Sequence, residues 1–318
     1  MSKKTGYLLG ILLTIILGTI LYWLFCCKPC LEAENNASGI TTETEKTSVK
    51  TESTSEPTPV TINTFKVKDA NGELDFNIYE NLNFNTSSAS ILTPVSSAVD
   101  SSAIKLANYY KENPRKTLNI YGHYRSDETN NSVFPNLGLA RANAAKNYLV
   151  SKGMLSKSIN TYGTLDDNFN ADKEGVLHGP LSYNVNTLEV GDTSDADEMK
   201  KLGDAIKADP LILYFETAQA SINLTDVQRQ KVANMVRYID HVEGASINVT
   251  GYTDNTGSLT TNTRLGQERA DFAKSYLVNN GISASKINSS SKGPDSPIAD
   301  NATEEGRAKN RRVVVTIN

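Results

Sequence analysis

The chain has 318 residues, a hydrophobic fraction of 38% and a formal net charge of −4. This length and composition predict about two packed domains, and the balanced charge, without a basic half, argues against a nucleic-acid partner. The three histidines stand in no metal-binding spacing and the sequence holds no nucleophile motif, so we predict no enzyme, no metal and no cofactor.

The chain begins with a long apolar segment. Residues 6–27 carry no charge over 22 positions and follow two lysines, and as a helix they would extend about 33 Å, enough to span a bilayer. We predict that residues 1–30 form an uncleaved transmembrane signal anchor, with the rest of the chain outside. The alternative is a lipoprotein acylated at Cys26 or Cys27, which the bulky residues before these cysteines disfavour.

Residues 31–63 are rich in Ser, Thr and Glu and poor in large apolar side chains. A segment of this composition cannot bury enough apolar surface to fold, so we predict a disordered linker. It would hold the domains that follow it well clear of a membrane.

The rest of the chain repeats itself. Residues 137–160 and 265–288 are identical at 12 of 24 positions without a gap. Two copies of one domain are the economical interpretation, and we predict them at residues 64–187 and 196–318, with a linker over 188–195.

The hydrophobic pattern of the second copy alternates between helical and strand-like periods. In chain order it predicts a helix through Met199, Leu202 and Ile206, a strand over 211–215, a helix over 224–239 capped by Thr225, a strand over 246–253, a helix containing Arg269, and a strand over 311–317. Strands that alternate with helices predict an α+β fold of βαβαβ type, with the helices packed on one face of a small mixed sheet.

Arg269 interrupts the apolar stripe of its helix. At about 100° per residue it falls among Leu265, Phe272, Ala273, Tyr276 and Leu277. A guanidinium that faces a core needs an anionic partner. The preceding strand ends at Thr253-Asp254 and a glycine-containing turn follows, so we predict Asp254 as that partner, either as a structural ion pair or as part of a binding site.

Four separated sequence blocks occur here in a fixed order. They are Gly251-Tyr252-Thr253-Asp254, then Asn262, then Leu265-Gly266-Gln267-Glu268-Arg269-Ala270 with Gly281-Ile282, and finally Gly306-Arg307-Ala308-Lys309-Asn310-Arg311-Arg312-Val313. Over residues 200–318 the chain thereby resembles the OmpA-like C-terminal domain family, which binds peptidoglycan. One departure is Gly266, where the family usually has serine, and we expect it to weaken the start of the helix.

The resemblance implies roles for individual residues. Asp254 would take the ammonium and Arg269 the carboxylate of the diaminopimelate residue in the stem peptide, with Asn262 and Thr253 as hydrogen-bonding neighbours. An Asp–Arg couple complements a zwitterionic amino-acid centre, because the arginine can bind the carboxylate through two hydrogen bonds.

Three polar residues near the closing strand are additional candidates for the site. Arg307, Asn310 and Arg311 would add positive potential for the carboxylates of the stem peptide. The alternative is that they cap the entry of the strand and pair with Glu304 and Glu305.

The first copy departs from this pattern. Arg141 repeats Arg269, but the position that matches Asp254 is Arg125, and the closing block with its arginines is missing. Asp127 is the candidate replacement acid. We predict a degenerate copy that keeps the fold and has lost diaminopimelate binding, and that instead contacts an envelope protein or a second copy of the chain.

The predicted function is noncovalent peptidoglycan binding without catalysis, which would tether a membrane to the cell wall. A diaminopimelate-type wall together with export implies the envelope of a Gram-negative bacterium, with the domains in the periplasm. We expect the anchor in the inner membrane, with an outer-membrane lipoprotein as the alternative. The alternative function is a protein–protein interaction or oligomerisation module in which an Asp254–Arg269 pair is structural.

Overall fold

The computed structural model of the protein describes residues 59–215 and 222–318. The predicted anchor and most of the predicted linker lie outside these residues, and within them no helix has the length and apolar character to cross a bilayer. The backbone N–H of Thr61 donates to the carbonyl of Asn170 at 3.1 Å, and that of Asn63 donates to the carbonyl of His178 at 3.1 Å. The predicted linker over 31–63 therefore ends too late, because its last residues belong to the folded part.

The first half of the fold is built around a three-stranded sheet. Its elements are β1 (Phe65–Lys68), β2 (Asp75–Ile78), β3 (Phe84–Asn85), α1 (Ser97–Glu112), β4 (Lys116–Tyr124), α2 (Leu137–Ser151), β5 (Ile159–Leu165), β6 (Val176–Leu177) and β7 (Leu181–Thr187). The central strand β4 runs parallel to β5 and antiparallel to β7. Two short ribbons, β1 with β2 and β3 with β6, complete this half.

The second half contains a four-stranded sheet. Its elements are α3 (Ser194–Ala208), β8 (Leu211–Tyr214), α4 (Asp226–His241), β9 (Ile247–Tyr252), α5 (Leu259–Asn279), β10 (Ile287–Gly293), α6 (Glu304–Asn310) and β11 (Arg312–Ile317). The strand order is β10-β9-β11-β8, with β9 parallel to β10 and antiparallel to β11. The central strands β4 and β9 thus each have one parallel and one antiparallel neighbour, and the predicted α+β class is confirmed.

Local sequence signals account for the starts of the helices. Thr225 Oγ1 accepts the N–H of Gln228 at 3.3 Å, while the Gln228 side chain accepts the N–H of Thr225 at 2.9 Å, which forms a capping box before α4. Helix α5 begins at Leu259 and is capped by Ser258. Gly266 therefore lies in the interior of α5, and the expectation that it weakens the start of this helix is wrong.

The two halves share buried surface. The apolar core of the second half, with Ile247 and Val249 of β9, also includes Val133 and Phe134 from the first half. Polar contacts join the same faces: Lys146 of α2 is ion-paired with Asp240 of α4, and the Asn147 side chain donates to the carbonyl of Gly281 at 2.6 Å. Together the described residues fall within one compact unit, Glu56–Asn318.

Glycine pairs allow a helix to lie directly on a strand in each half. A Cβ added to Gly251 of β9 would overlap the carbonyl oxygen of Gly266 of α5, and a Cβ added to Gly122 of β4 would overlap that of Gly138 of α2. Because no side chain separates the two backbones, the backbone of each helix packs directly against that of its strand. This contact sets the position of α5, which carries Arg269.

Gly251→Ala and Gly266→Ala are expected to differ in their cost. The methyl group of Gly251→Ala would overlap the backbone of Gly266, which cannot easily move. We therefore expect this variant to lose about 2 kcal/mol in the free energy of unfolding. The methyl group of Gly266→Ala meets chiefly the Ser291 hydroxyl, which can rotate away, and alanine improves the helix by about 1 kcal/mol. We expect that variant within about 1 kcal/mol of wild type. Urea unfolding of residues 56–318 measures both, and equal losses would contradict the backbone contact.

Candidate functional site

The segment that follows β9 fixes the carboxylate of Asp254. Thr253 is buried, and its hydroxyl donates to the carbonyl of Asp254 at 2.8 Å. The backbone N–H of Thr256 donates to Asp254 Oδ1 at 2.9 Å. Gly257 then adopts a φ of 93°, a conformation that favours glycine, and the chain turns into α5. The predicted turn is therefore present, and it holds Asp254 between the end of β9 and the start of α5.

Arg311 binds this carboxylate. Its Nη1 donates to Asp254 Oδ2 at 2.9 Å, and its Nη2 donates to Glu304 Oε1 at 2.8 Å. Burial works to raise the pKa of Asp254, but the hydrogen bonds from Arg311 and Thr256 prevail and hold that pKa below its ordinary value. The pKa of Arg311 is raised by its hydrogen bonds to Asp254 and Glu304. Both groups are thus charged at neutral pH.

Arg269 lies beside this pair without bonding to Asp254. It is half-buried, and its Nη1 donates to the carbonyl of Tyr252 at 3.3 Å. Its pKa is lowered first by burial and then by the positive charge of Arg311, whereas the negative charge of Asp254 opposes this effect. The predicted direct pairing of Asp254 with Arg269 is wrong, because Arg311 takes the carboxylate. The guanidinium of Arg269 instead lies close enough to Asp254 and Arg311 for the charges of both to shift its pKa.

The buried face of α5 differs from the predicted stripe. Its buried residues are Asn262, Gly266, Ala270, Ala273 and Leu277. Leu265 and Phe272 of the predicted stripe are only partly buried, so the face is rotated by about one position. Arg269 therefore lies at the margin of the buried face, where its side chain is half-buried.

The three additional candidates have different surroundings. Arg307 donates to Glu304 Oε2 at 2.7 Å and to the carbonyl of Asn301 at 2.9 Å, so it fixes the segment before α6. Asn310 is fully buried and bonds the backbone of Ile298 and Ala299, which is a structural role. Of the three, Arg311 alone reaches Asp254.

Arg312 belongs to the fourth sequence block, but no role was predicted for it. Its guanidinium lies over the ring of Tyr252, 3.9 Å from the centroid, and donates to the carbonyl of Ser296 at 3.0 Å. Tyr252 is also the residue whose carbonyl accepts from Arg269. The sequence does contain a signal for this, the consecutive pair Arg311-Arg312 at the start of a strand. Because adjacent strand residues point to opposite faces, the two arginines are expected to have different partners.

The second half of the chain is similar to known proteins. Residues 214–311 match the family model described as OmpA family. These residues form an OmpA family domain. The domain contains Asp254, Arg269 and Arg311, while residues 64–187 lie outside the match.

Relatives of the OmpA family domain come from several bacteria. The chain is 33% identical over 147 residues to the probable lipoprotein YiaD of Escherichia coli (strain K12), covering 44% of this chain and 66% of that protein. It is 47% identical over 74 residues to the peptidoglycan-binding protein ArfA of Mycobacterium tuberculosis (strain ATCC 25618 / H37Rv), covering 23% of each. The chain thus spans less than two thirds of either relative. Among solved structures, the C-terminal domain of Helicobacter pylori MotB is 29% identical, covering 35% of this chain and 84% of that one, with a TM-score of 0.29.

The first half surrounds Arg141 differently from the way the OmpA family domain surrounds Arg269. Arg141 is fully buried, and both of its terminal nitrogens bind the carboxylate of Glu128. Asp127 pairs with Arg125 at 2.6 Å, and its side chain is 64% exposed. The prediction that Asp127 replaces the missing acid is therefore wrong, and the acid at Arg141 is its neighbour, Glu128.

Proposed function

We propose that the protein binds peptidoglycan noncovalently through the diaminopimelate residue of the stem peptide, and thereby tethers a membrane to the cell wall without catalysis. The observation that carries this proposal is the half-buried Arg269 of the OmpA family domain. Its guanidinium makes one side-chain hydrogen bond, at 3.3 Å, to the described part of the chain, and it lies close to the ionised Asp254. The likeness to a protein named for peptidoglycan binding supports the same function.

The charges of the site suit a zwitterionic ligand. Arg269 would receive the ligand carboxylate through two parallel hydrogen bonds, and Asp254 would receive the ammonium. Arg311 and the N–H of Thr256 already bind the two oxygens of Asp254. Each carboxylate oxygen offers about two acceptor positions, so acceptor capacity for an ammonium remains. Thr253, which directly follows β9, and Asn262, in the first turn of α5, complete the proposed site.

The envelope is the proposed compartment. The apolar residues 6–27 would anchor the chain in a membrane, with residues 31–58 as a linker. A single-pass anchor in the inner membrane is our first assignment, and the likeness to a probable lipoprotein supports the alternative of acylation at Cys26 or Cys27. Mass spectrometry of the mature protein separates the two, because an intact N-terminus and an acylated cysteine differ in mass.

We further propose that residues 64–187 and 196–318 are two copies of one domain, of which the first has lost diaminopimelate binding. The matching pairings of β4 and β9 and the matching glycine contacts support this proposal. The buried Arg141–Glu128 pair supports the loss, because a ligand carboxylate would have to displace Glu128. The first copy is then free to contact an envelope protein or a second copy of the chain.

Asp254→Ala is expected to abolish retention on the cell wall. Residues 56–318 should sediment with purified diaminopimelate-containing sacculi, and the variant should stay in solution, because the ligand ammonium loses its counter-charge. The variant also frees Arg311, so circular dichroism must first show a retained fold. Asp271→Ala, which removes an exposed carboxylate of α5, is the matched control and should sediment like wild type.

Two results would count against this site. If the folded Asp254 variant sediments like wild type, Asp254 is structural and the wall contact lies elsewhere. If even the wild-type fragment stays in solution, the protein is better described as a protein–protein interaction module.

A further inference from the structure

Glu128 is held like a bound ligand in the first half of the fold. Its side chain is 1% exposed, and its Oε1 accepts from Arg141 Nη2 and from the backbone N–H of Ser87, the latter at 2.8 Å. Its Oε2 accepts from Arg141 Nη1 and from the backbone N–H of Arg125, both at 2.9 Å. Four donors thus surround one carboxylate, two from a planar guanidinium and two from the backbone.

Arg141 also makes contacts that do not involve this carboxylate. Its Nε donates to the carbonyl of Ser88 at 3.0 Å, its Nη1 donates to the carbonyl of His123 at 2.8 Å, and its guanidinium lies 5.9 Å from the centroid of the Phe84 ring. These contacts hold the guanidinium in addition to its ion pair with Glu128. The site is therefore preorganised for a carboxylate rather than shaped only by Glu128.

The OmpA family domain provides a matched comparison. Arg269 occupies the position of Arg141 in the gapless repeat, and it donates to the carbonyl of Tyr252, which corresponds to that of His123. Within residues 59–215 and 222–318, however, no acid binds Arg269 as Glu128 binds Arg141. The Glu128 carboxylate thus fills the place beside the arginine that remains accessible in the other half.

We infer that the first half contains a carboxylate-binding site whose resident ligand is the side chain of Glu128, and that removing this side chain opens the site to small free carboxylates. Ser87, whose backbone N–H binds Glu128, and Ser88, whose carbonyl accepts from Arg141, also line a cavity of about 440 Å³. The site exists whether or not Asp254 and Arg269 bind peptidoglycan.

The test is rescue of Glu128→Ala by acetate in the full-length chain, purified in detergent micelles. Acetate supplies the carboxylate that the variant lacks, and chloride at equal ionic strength serves as the reference salt. We expect the Tm of the variant to be lower than that of wild type, and to be about 3 °C higher in 0.1 M acetate than in chloride. The Tm of wild type should be the same in both salts, because Glu128 already fills the site.

Two matched variants identify the source of the effect. Asp127→Ala removes the adjacent exposed carboxylate and should show no difference between acetate and chloride. Glu128→Ala combined with Arg141→Met removes both the resident ligand and its receptor, and should likewise show none. If Glu128→Ala does not fold in chloride, we expect acetate during refolding to restore its native circular dichroism spectrum.

Equal Tm values of Glu128→Ala in acetate and chloride would overturn the inference. So would failure to refold in either salt while the double variant folds, because a preorganised site should accept the free anion. An acetate effect that persists in the double variant would also overturn it, since binding would then not involve Arg141.

Discussion

Arg269→Ala is expected to weaken the binding of a diaminopimelate-containing stem peptide at least about tenfold, while the free energy of unfolding stays within about 1 kcal/mol of wild type. The loss of affinity follows because a charge-assisted bidentate hydrogen bond to a carboxylate contributes about 1.5–3 kcal/mol. The small effect on stability follows because the guanidinium is half-buried and makes one 3.3 Å hydrogen bond within the described part of the chain. Isothermal titration of residues 56–318 with the peptide, together with urea unfolding, measures both quantities.

Arg264→Ala is the matched control for this variant. Arg264 lies on the same helix, its side chain is 62% exposed, and it pairs with Glu268 one turn further on. Such an exposed pair contributes about 0.3–0.5 kcal/mol, so neither affinity nor stability should change appreciably. If the Arg269 and Arg264 variants bind the peptide equally well, Arg269 does not receive the ligand carboxylate.

Arg141→Ala is expected to have the opposite effects. It should lower the free energy of unfolding by about 3–5 kcal/mol, because it leaves the buried carboxylate of Glu128 without its partner. The affinity for the stem peptide should remain that of wild type, since Arg141 lies outside the OmpA family domain. Urea unfolding and the same peptide titration test these two expectations on one protein preparation.

The neighbouring Arg125 provides the control for Arg141. Its side chain is 28% exposed and pairs with the exposed Asp127, so Arg125→Ala should cost about 0–1 kcal/mol. A stable Arg141 variant would show that the buried pair contributes little to the fold. If the Arg141 variant has the wild-type free energy of unfolding but does not bind the peptide, the binding site lies in the first half instead.

The sequence predicted those parts of the fold that depend on local patterns. Helix α4 and its cap at Thr225 follow from a capping residue and a 3.6-residue period, and β9 follows from alternation. Strand β10 was missed because its sequence, INSSSKG, offers one large apolar residue, Ile287, and several small polar ones. It forms because its backbone pairs in parallel with β9, a nonlocal contact that no short window contains.

Asp254 and Arg269 lie near each other, as predicted, whereas the hydrogen-bond partner of Asp254 was not predicted. Asp254 and Arg269 are separated by one loop, so their proximity follows from the strand–loop–helix order. The bond from Arg311 to Asp254 joins residues 57 positions apart, and it depends on β11 lying next to β9. The order of strands in a sheet cannot be read from periodicity, and therefore the partner of Asp254 was assigned incorrectly.

The acid in the first half shows a similar limit. Asp127 and Glu128 are adjacent in a loop, where no periodicity tells which side chain faces inward. The longer side chain of Glu128 reaches Arg141 and two backbone N–H groups, whereas Asp127 remains at the surface with Arg125. Which of two adjacent acidic residues faces Arg141 depends on the backbone path of the loop, which the sequence pattern does not give.

Asp254 and Arg269 are proposed to hold diaminopimelate, and displacement of the protein from sacculi by stem peptides tests this proposal. Residues 56–318 would be sedimented with diaminopimelate-containing sacculi in the presence of one of two stem peptides. The peptides differ only in whether diaminopimelate or lysine follows the glutamate, and lysine lacks the side-chain carboxylate. We predict that the diaminopimelate peptide releases the protein into solution and the lysine peptide does not. Equal release by both peptides, or release by neither, would show that Asp254 and Arg269 do not hold diaminopimelate.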